Sequence, residues 1–460
     1  MDLGRQESMP SPRQDALSIW NAGVDSVRAR ERVLSQIQLE SDQLCVAEHL
    51  FSLADFDRII VVGAGKAATA MATGLVAAVG DRLPIKGWIN VPEGTVPAEG
   101  SELLRHIHVH PARPAGVNEP TADGVFGTEQ ILQLVRQATP RDLCIALISG
   151  GGSALLPAPI PGITLEDKLA VIRHLSSSGA DITELNTVRK HLSAVKGGGL
   201  LRACRSGQLI TLILSDVLGD PVDLIASGPT IEDTSSKTDA LDVLDQFDPQ
   251  RNLPASVYNA LNSAPATVVK PTTTATTCII GNNALAVDEA GIVAERLGYN
   301  HIMHSATVCE PSAEQVGREF AEMLVSMLRS NDKHRSNCLI TGGEPVVTLA
   351  PAEIRGLGGR NQQLVLAAYQ HLLGCELSDD EWNQIALLSG GTDGEDGPTD
   401  AAGAMLDASV HQLASEKRLD IADFLRRNDA YHFFEETGGL ILCGPTGTNV
   451  CDIRVGVIKT

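Results

Sequence analysis

Aromatic residues are scarce in this chain: Phe, Trp and Tyr together make up 3% of its 460 residues. A core with so few rings has to be built from Ala, Val, Leu and Ile, and the 43 glycines add many tight strand-to-helix turns, the composition of an α/β protein. Positive charge is also short. Lys and Arg number 36 against 57 acids, for a formal charge of −21, which excludes a nucleic-acid surface and a polybasic membrane patch. No run reaches the roughly 18–20 apolar residues that cross a bilayer. The first ~15 residues mix Asp2 and Glu7 with Arg5 and Arg13 and hold no apolar stretch, so no secretory signal is expected. CxxC pairs are absent. The nine cysteines include Cys144, Cys278, Cys338 and Cys443 inside apolar runs, which fits core packing in a reducing compartment better than disulfides or a metal site. The expectation is a cytoplasmic protein, monomer or homo-oligomer, that handles small molecules and binds neither nucleic acid nor membrane.

What is present is a rhythm. Apolar runs that end near glycine, each followed by a helical pattern, recur at Ile59–Gly65, Leu143–Gly150, Leu209–Asp216, Cys278–Gly281, Cys338–Gly342, Ile385–Gly390 and Leu440–Gly444. Strands alternating with helices predict βαβ units around mainly parallel, buried sheets, with ligands at the carboxyl ends of the strands. The length exceeds one ordinary core. The stretch Pro249–Thr277, with Pro254, Pro265 and Pro271, breaks the rhythm and predicts a boundary near residue 268. Two α/β domains are therefore expected, 1–268 and 269–460.

In so acidic a chain, cations inside glycine turns are informative. Gly63-Ala64-Gly65-Lys66 ends an apolar run and opens a helix of small residues. Unpaired amides there favour an anion, and Lys66, which opposes the helix dipole, calls for an anionic partner. The same turn matches the relaxed dinucleotide pattern GxGxxA but not a phosphate-binding Walker loop. Ser149-Gly150-Gly151-Gly152-Ser153 offers a second group of amides for carboxylate or phosphate oxygens. Asn186–Gly199 reads as a basic helix ending at glycines, and its Arg189 and Lys196 suit one wall of an anion cleft. Asp216 ends an apolar run, where α/β kinases hold Mg²⁺ or activate a hydroxyl. Arg360 follows Gly359 at the start of a helical pattern, and its planar guanidinium suits a phosphoryl group. Thr392, Asp393 and Asp396 lie in the acidic glycine loop Ser389–Asp400, which lacks the closing glutamate of a calcium loop and fits hydroxyl or Mg²⁺ chemistry instead.

Taken in order, these segments resemble the class II glycerate kinases, the glycerate 2-kinase family, whose N-terminal Rossmann-like kinase domain precedes a C-terminal MOFRL domain. The resemblance implies an active site in the cleft between the two domains, ATP and Mg²⁺ as cosubstrates, and glycerate phosphorylated at its C2 hydroxyl. It implies catalytic roles for Lys66, Asp216 and Arg360. Gly63, Gly65, Ser149–Ser153, Arg189, Lys196, Gly359, Thr392, Asp393 and Asp396 would hold substrate or phosphate, and Asp216 the metal. Many members continue His110-Pro111 with a Pro–Asp step. Here Ala112-Arg113-Pro114 follows, so no function is assigned to that loop. Two rival readings are an NAD(P)H-dependent hydroxypyruvate reductase, supported only by GxGxxA, and a non-catalytic sugar-acid sensor.

Overall fold

A computed structural model describes residues 11–95, 103–117, 119–263, 271–332 and 334–459. It divides into a first unit, Ala29–Gly281, and a second, Met1–Arg28 with Asn282–Thr460. The boundary expected near residue 268 lies outside the described residues. The flanking elements put the division at Gly281/Asn282 instead, because the Thr-rich run after Pro271 is the last strand of the first sheet.

The first unit begins with a small antiparallel meander of β1 (Ile37–Glu40), β2 (Gln43–Val46) and β3 (His49–Ser52). Its main sheet contains β4 (Arg58–Ala64), β5 (Ile85–Pro92), β6 (Ile107–Arg113), β7 (Asp142–Ile148), β8 (Gln208–Leu214) and β9 (Thr274–Gly281). These pair in the order β6-β5-β4-β7-β8-β9, and every pairing is parallel. Strands β4, β7 and β8 are buried almost end to end, which is why they read as continuous Ile/Val/Leu runs. The strand order reverses between β4 and β7. The glycine turns that follow these two strands therefore meet at the switch point, where open parallel sheets bind ligands.

Four helices, Leu165–Ser177, Ile182–His191, Lys237–Phe247 and Ala255–Asn262, build a separate apolar cluster around Val171, Leu175, Val188, Leu192, Leu244 and Val257. The first three open with reciprocal capping boxes, Thr164/Asp167, Asp181/Glu184 and Ser236/Asp239.

The second sheet contains β10 (His301–Ser305), β11 (Cys338–Gly343), β12 (Ile385–Gly391), β13 (Gly403–Asp407), β14 (Leu440–Ile441) and β15 (Asp452–Ile458), in the order β10-β11-β15-β12-β13-β14. Only β10 and β11 run parallel, so the expectation of mainly parallel sheets holds for the first unit and fails here. The reason is the connections. No helix separates β12 from β13, and parallel neighbours need a crossover long enough to contain one. The final strand then runs antiparallel to both β11 and β12.

The N-terminal helix Pro12–Ser26 belongs to this second unit. Its buried Asp15 accepts from the Tyr299 hydroxyl at 2.8 Å and from Lys459 Nζ at 2.7 Å, and the Trp20 indole N–H donates to the Gly390 carbonyl. Among the described residues no helix is long and apolar enough to cross a membrane.

Asp248 closes the four-helix cluster. It accepts from the amides of Asn252 and Leu253, both at 2.9 Å, and from the Tyr258 hydroxyl at 2.6 Å. Burial opposes its charge, but these bonds outweigh it and hold the carboxyl below its ordinary value. Asp248→Ala strands three donors and is expected to cost about 3 kcal/mol in urea unfolding. A depressed carboxylate stabilises fully above its unfolded pKa of about 3.9 and loses that contribution as pH falls through the lower folded value. Asp248→Asn should accordingly flatten the fall in stability on acidification below about pH 4.

Candidate active site

At the switch point the two glycine turns are bonded to each other. Gly65 N–H donates to Asn90 O, Lys66 N–H to Gly150 O at 2.9 Å, Ala67 N–H to Ser149 Oγ at 3.0 Å, and Ala68 N–H back to Gly65 O. The amides expected to cradle an anion at Gly63–Lys66 are therefore spent on internal partners. Gly63 is a packing position, since a Cβ there would collide with the Leu147 carbonyl of β7. Gly65 has φ +144° and lies against Ser149, where a side chain would not fit. Ser149 is buried and serves as the clasp between the turns. A pyrophosphate seated in the dinucleotide manner finds no amides here, which removes the one local support for the reductase reading.

Donors remain on the other turn. The amides of Gly150, Gly151 and Ser153 meet no acceptor among the described residues. Gly151 adopts φ +77°, which presents successive N–H groups to one side. Asn90, fully buried, fixes this turn by donating to the Leu155 carbonyl at 2.8 Å.

Beneath the turn lies a group of cations. Lys196 Nζ donates to the Ser153 carbonyl at 2.8 Å, to Ser153 Oγ at 2.7 Å and to Ser227 Oγ at 3.4 Å. Arg189 also donates to Ser153 Oγ and, at 3.3 Å, to Asn186 Oδ1, which accepts from the Ser227 hydroxyl at 2.8 Å. Buried Lys168 lies nearby, its Nζ on the Leu192 carbonyl at 3.0 Å. Among the described residues no carboxylate stands at ion-pair distance from any of the three. Burial, then Arg189 and Lys168, push the Lys196 ammonium far down; burial, then Arg189, takes Lys168 to about 7; burial brings Arg189 down to about 10. Among the described residues the Arg189 Nε has no partner. Among the described residues neutral polar groups surround these buried cations, an arrangement that leaves their desolvation uncompensated.

The loop that supplies Ser227 is strained. Ala226 and Ser227 both have positive φ, 51° and 61°, and are held there by Gly197 N–H on Ser227 O and Gly198 N–H on Gly228 O. The basic helix expected from the sequence does carry Arg189, and the glycines after it grip this loop.

Lys66 lies exposed beside the turn, its Cγ 3.9 Å from where a Gly151 Cβ would be. Asp216 is half-buried just beyond β8, and Ser215 closes a local turn onto Val217. Neither is a lone charge. Among the described residues no three His, Cys, Asp or Glu side chains gather as a metal cage.

The second unit treats its candidates differently. Arg360 holds Asp452 bidentately, Nε to Oδ2 at 2.6 Å and Nη2 to Oδ1 at 3.0 Å, and donates from Nη1 to Glu344 at 2.8 Å. Burial opposes its charge, but Asp452 and Glu344 outweigh that and keep it cationic. Asp396 is the acceptor for the first turn of helix Arg360–Gly374, taking the amides of Asn361 at 3.0 Å and Gln362 at 2.8 Å. Burial pushes its carboxyl up to about 7 against the pull of those amides. Gly359 leaves room for that carboxylate, which a Cβ would strike. Thr392 is fully buried, with its hydroxyl donating to Cys451 O and accepting from Val450 N–H. Asp393 accepts the Glu395 amide at 3.1 Å. The acidic loop thus spends Thr392 and Asp396 on the fold.

Four polar residues were given no individual role from the sequence: Asn186, Ser227, Lys168 and Arg113. Lys168 carried a signal, because its spacing from Val171 and Leu175 puts a lysine on the apolar face of its helix. The others depend on contacts far apart in sequence. Two outcomes follow. Sulfate, whose charge is constant across the range, should raise Tm more at pH 6.5 than at pH 9, because a bound anion draws protons onto depressed lysines. Arg360→Ala leaves Asp452, 0% exposed in its side chain, without its guanidinium and should lower stability by about 3 kcal/mol in chemical unfolding.

Residues 15–262 match a family described as a domain of unknown function, DUF4147, and residues 337–452 match the MOFRL family. The glycerate kinase of Rattus norvegicus is 36% identical, the alignment covering 98% of this chain and 94% of the rat protein. The D-glycerate 2-kinase of Thermotoga maritima is also 36% identical, covering 94% of this chain and 97% of that one. A crystal structure of glycerate kinase from Thermotoga maritima superposes with a TM-score of 0.80 at 33% identity, covering 97% and 99% of the two chains. The two-unit architecture and the near end-to-end similarity lead to one conclusion: this chain belongs to the glycerate kinase family built from DUF4147 and MOFRL domains.

Proposed function

We propose that the protein transfers the γ-phosphoryl group of ATP to the C2 hydroxyl of glycerate, giving 2-phosphoglycerate and ADP. The observation that carries this reading is the buried group Arg189, Lys196 and Lys168 under the Gly150–Ser153 amides. It is positive charge with no carboxylate among the described residues, at the carboxyl edge of a parallel sheet. Both substrates are anions, and phosphoryl transfer is governed by positioning and charge stabilisation more than by covalent chemistry. Full-length relatives named glycerate kinase and D-glycerate 2-kinase supply the substrate and the position phosphorylated.

In this proposal the Gly150, Gly151 and Ser153 amides, with Arg189 and Lys196, bind anionic oxygens, and exposed Lys66 neutralises charge on the transferring group. Asp216 holds Mg²⁺ or accepts the hydroxyl proton. Among the described residues no cage of ligands gathers there, which fits an ion carried mainly by nucleotide phosphates and water, as Mg²⁺ is in kinases. When bound, the ion supplies neutralisation of phosphate charge. For Arg360 the exchangeable partner is Glu344, whose side chain is 43% exposed, and a phosphate oxygen is proposed to displace it while Asp452 keeps its grip. A cytoplasmic setting is part of the reading and rests on cysteines packed into the interior, Cys144, Cys204 and Cys338 among them.

Incubation with glycerate and ATP, followed by enzymatic discrimination of 2-phosphoglycerate from 3-phosphoglycerate, tests the assignment. Lys66→Ala is expected to lower kcat/KM on the order of 10³-fold while leaving Tm near that of the parent. Failure to release ADP with glycerate, or NADH oxidation with hydroxypyruvate, would sink the proposal.

A further inference from the structure

Arg113 sits at the carboxyl end of edge strand β6, opposite Pro92 of β5, and is 4% exposed. A guanidinium so deeply buried ordinarily meets a carboxylate, as Arg360 and Arg454 do in the second unit. Arg113 meets none: among the described residues its head group donates to no acceptor, and its buried Nε has no partner. Burial alone displaces its pKa, downward, with no acid opposing it. The head group is also aimed. A Cβ on Gly151 would lie 3.1 Å from Arg113 Nη2 and 3.9 Å from Lys66 Cγ. The guanidinium, the lysine stem and the glycine turn therefore border one spot, and the Gly151 amide that borders it meets no acceptor among the described residues.

We propose that Arg113 is a substrate-binding residue, receiving a carboxylate or phosphate group that docks against Gly151 beside Lys66. The inference rests on the glycerate kinase reading for the identity of that anion, and on geometry alone for the site. A planar fork of N–H donors suits either group bidentately. It is distinct from the Arg189 and Lys196 group, which bonds Ser153 and Ser227. Two separate cationic positions around one glycine turn suit a reaction with two anionic substrates.

The test compares the parent protein with Arg113→Met and Arg113→Lys. An arginine that braces the fold and one that waits for a ligand respond oppositely. Removing an unpaired buried charge with an apolar side chain of similar length should leave the ligand-free Tm unchanged or raised. In Arg113→Met, KM for one substrate should rise at least tenfold while that for the other stays within twofold, and Arg113→Lys should recover part of the loss. A change confined to glycerate identifies the carboxylate; a change confined to ATP identifies a phosphate. Arg113→Met melting several degrees lower with both KM values unchanged overturns the proposal. The rise in Tm induced by sulfate, read on the same variants, is independent of turnover. It should shrink in Arg113→Met, and equality with the parent would refute the role of Arg113 even if the protein proved not to phosphorylate glycerate.

Discussion

Taking Arg189, Lys196 and Lys168 out of water without a countercharge is costly, and much of the first unit is arranged to tolerate it. Ser153, Ser227 and Asn186 supply oxygens but no negative charge, and the Leu192 carbonyl satisfies Lys168. Holding Ser227 in place requires two consecutive non-glycine residues at positive φ, pinned by Gly197 and Gly198. Strain and desolvation are concentrated at one place.

The second unit shows the opposite solution. Arg360 is closed on Asp452 and Glu344, and the nearly inaccessible Arg454 on Glu310, with Nη2 to Oε2 at 2.6 Å. Helix Arg360–Gly374 begins on the Asp396 carboxylate, so the donors at its start are already occupied. Buried charge there is neutralised within the fold and acts as a brace. A buried arginine thus does different work according to whether a carboxylate partner has been built in.

At the switch point hydrogen bonds are shared unevenly. Every amide from Gly65 to Ala68 is engaged, those of Lys66 and Ala67 in joining the two turns, whereas among the described residues those of Gly150, Gly151 and Ser153 meet no acceptor. The turn after β4 is the support, and the turn after β7 is the one with amides to offer. The Lys66 side chain lies beside that second turn, although the amides around it are engaged.

Local chemistry made much of this legible in advance. Continuous apolar runs ending in glycine mark the buried parallel strands, and a basic helix carrying Arg189 follows from residue type and spacing, although it closes at His191 rather than at the expected glycines. Arg189, Lys196 and the Gly150–Ser153 turn could be named because unusual residues stood at helix and strand ends. Strand direction in the second sheet, the transfer of helix Pro12–Ser26 to the distant C-terminal half, and the partners of Arg360 could not. Sequence determines which side chains carry charge and where the backbone can turn. Whether a given cation meets a carboxylate depends on elements far apart in sequence, such as Arg360 on Asp452, 92 residues away, or Arg113 beside Gly151 with no acid in reach among the described residues. Only the packed structure brings those groups within hydrogen-bond range, and so only it decides which charges brace the fold and which await an anion.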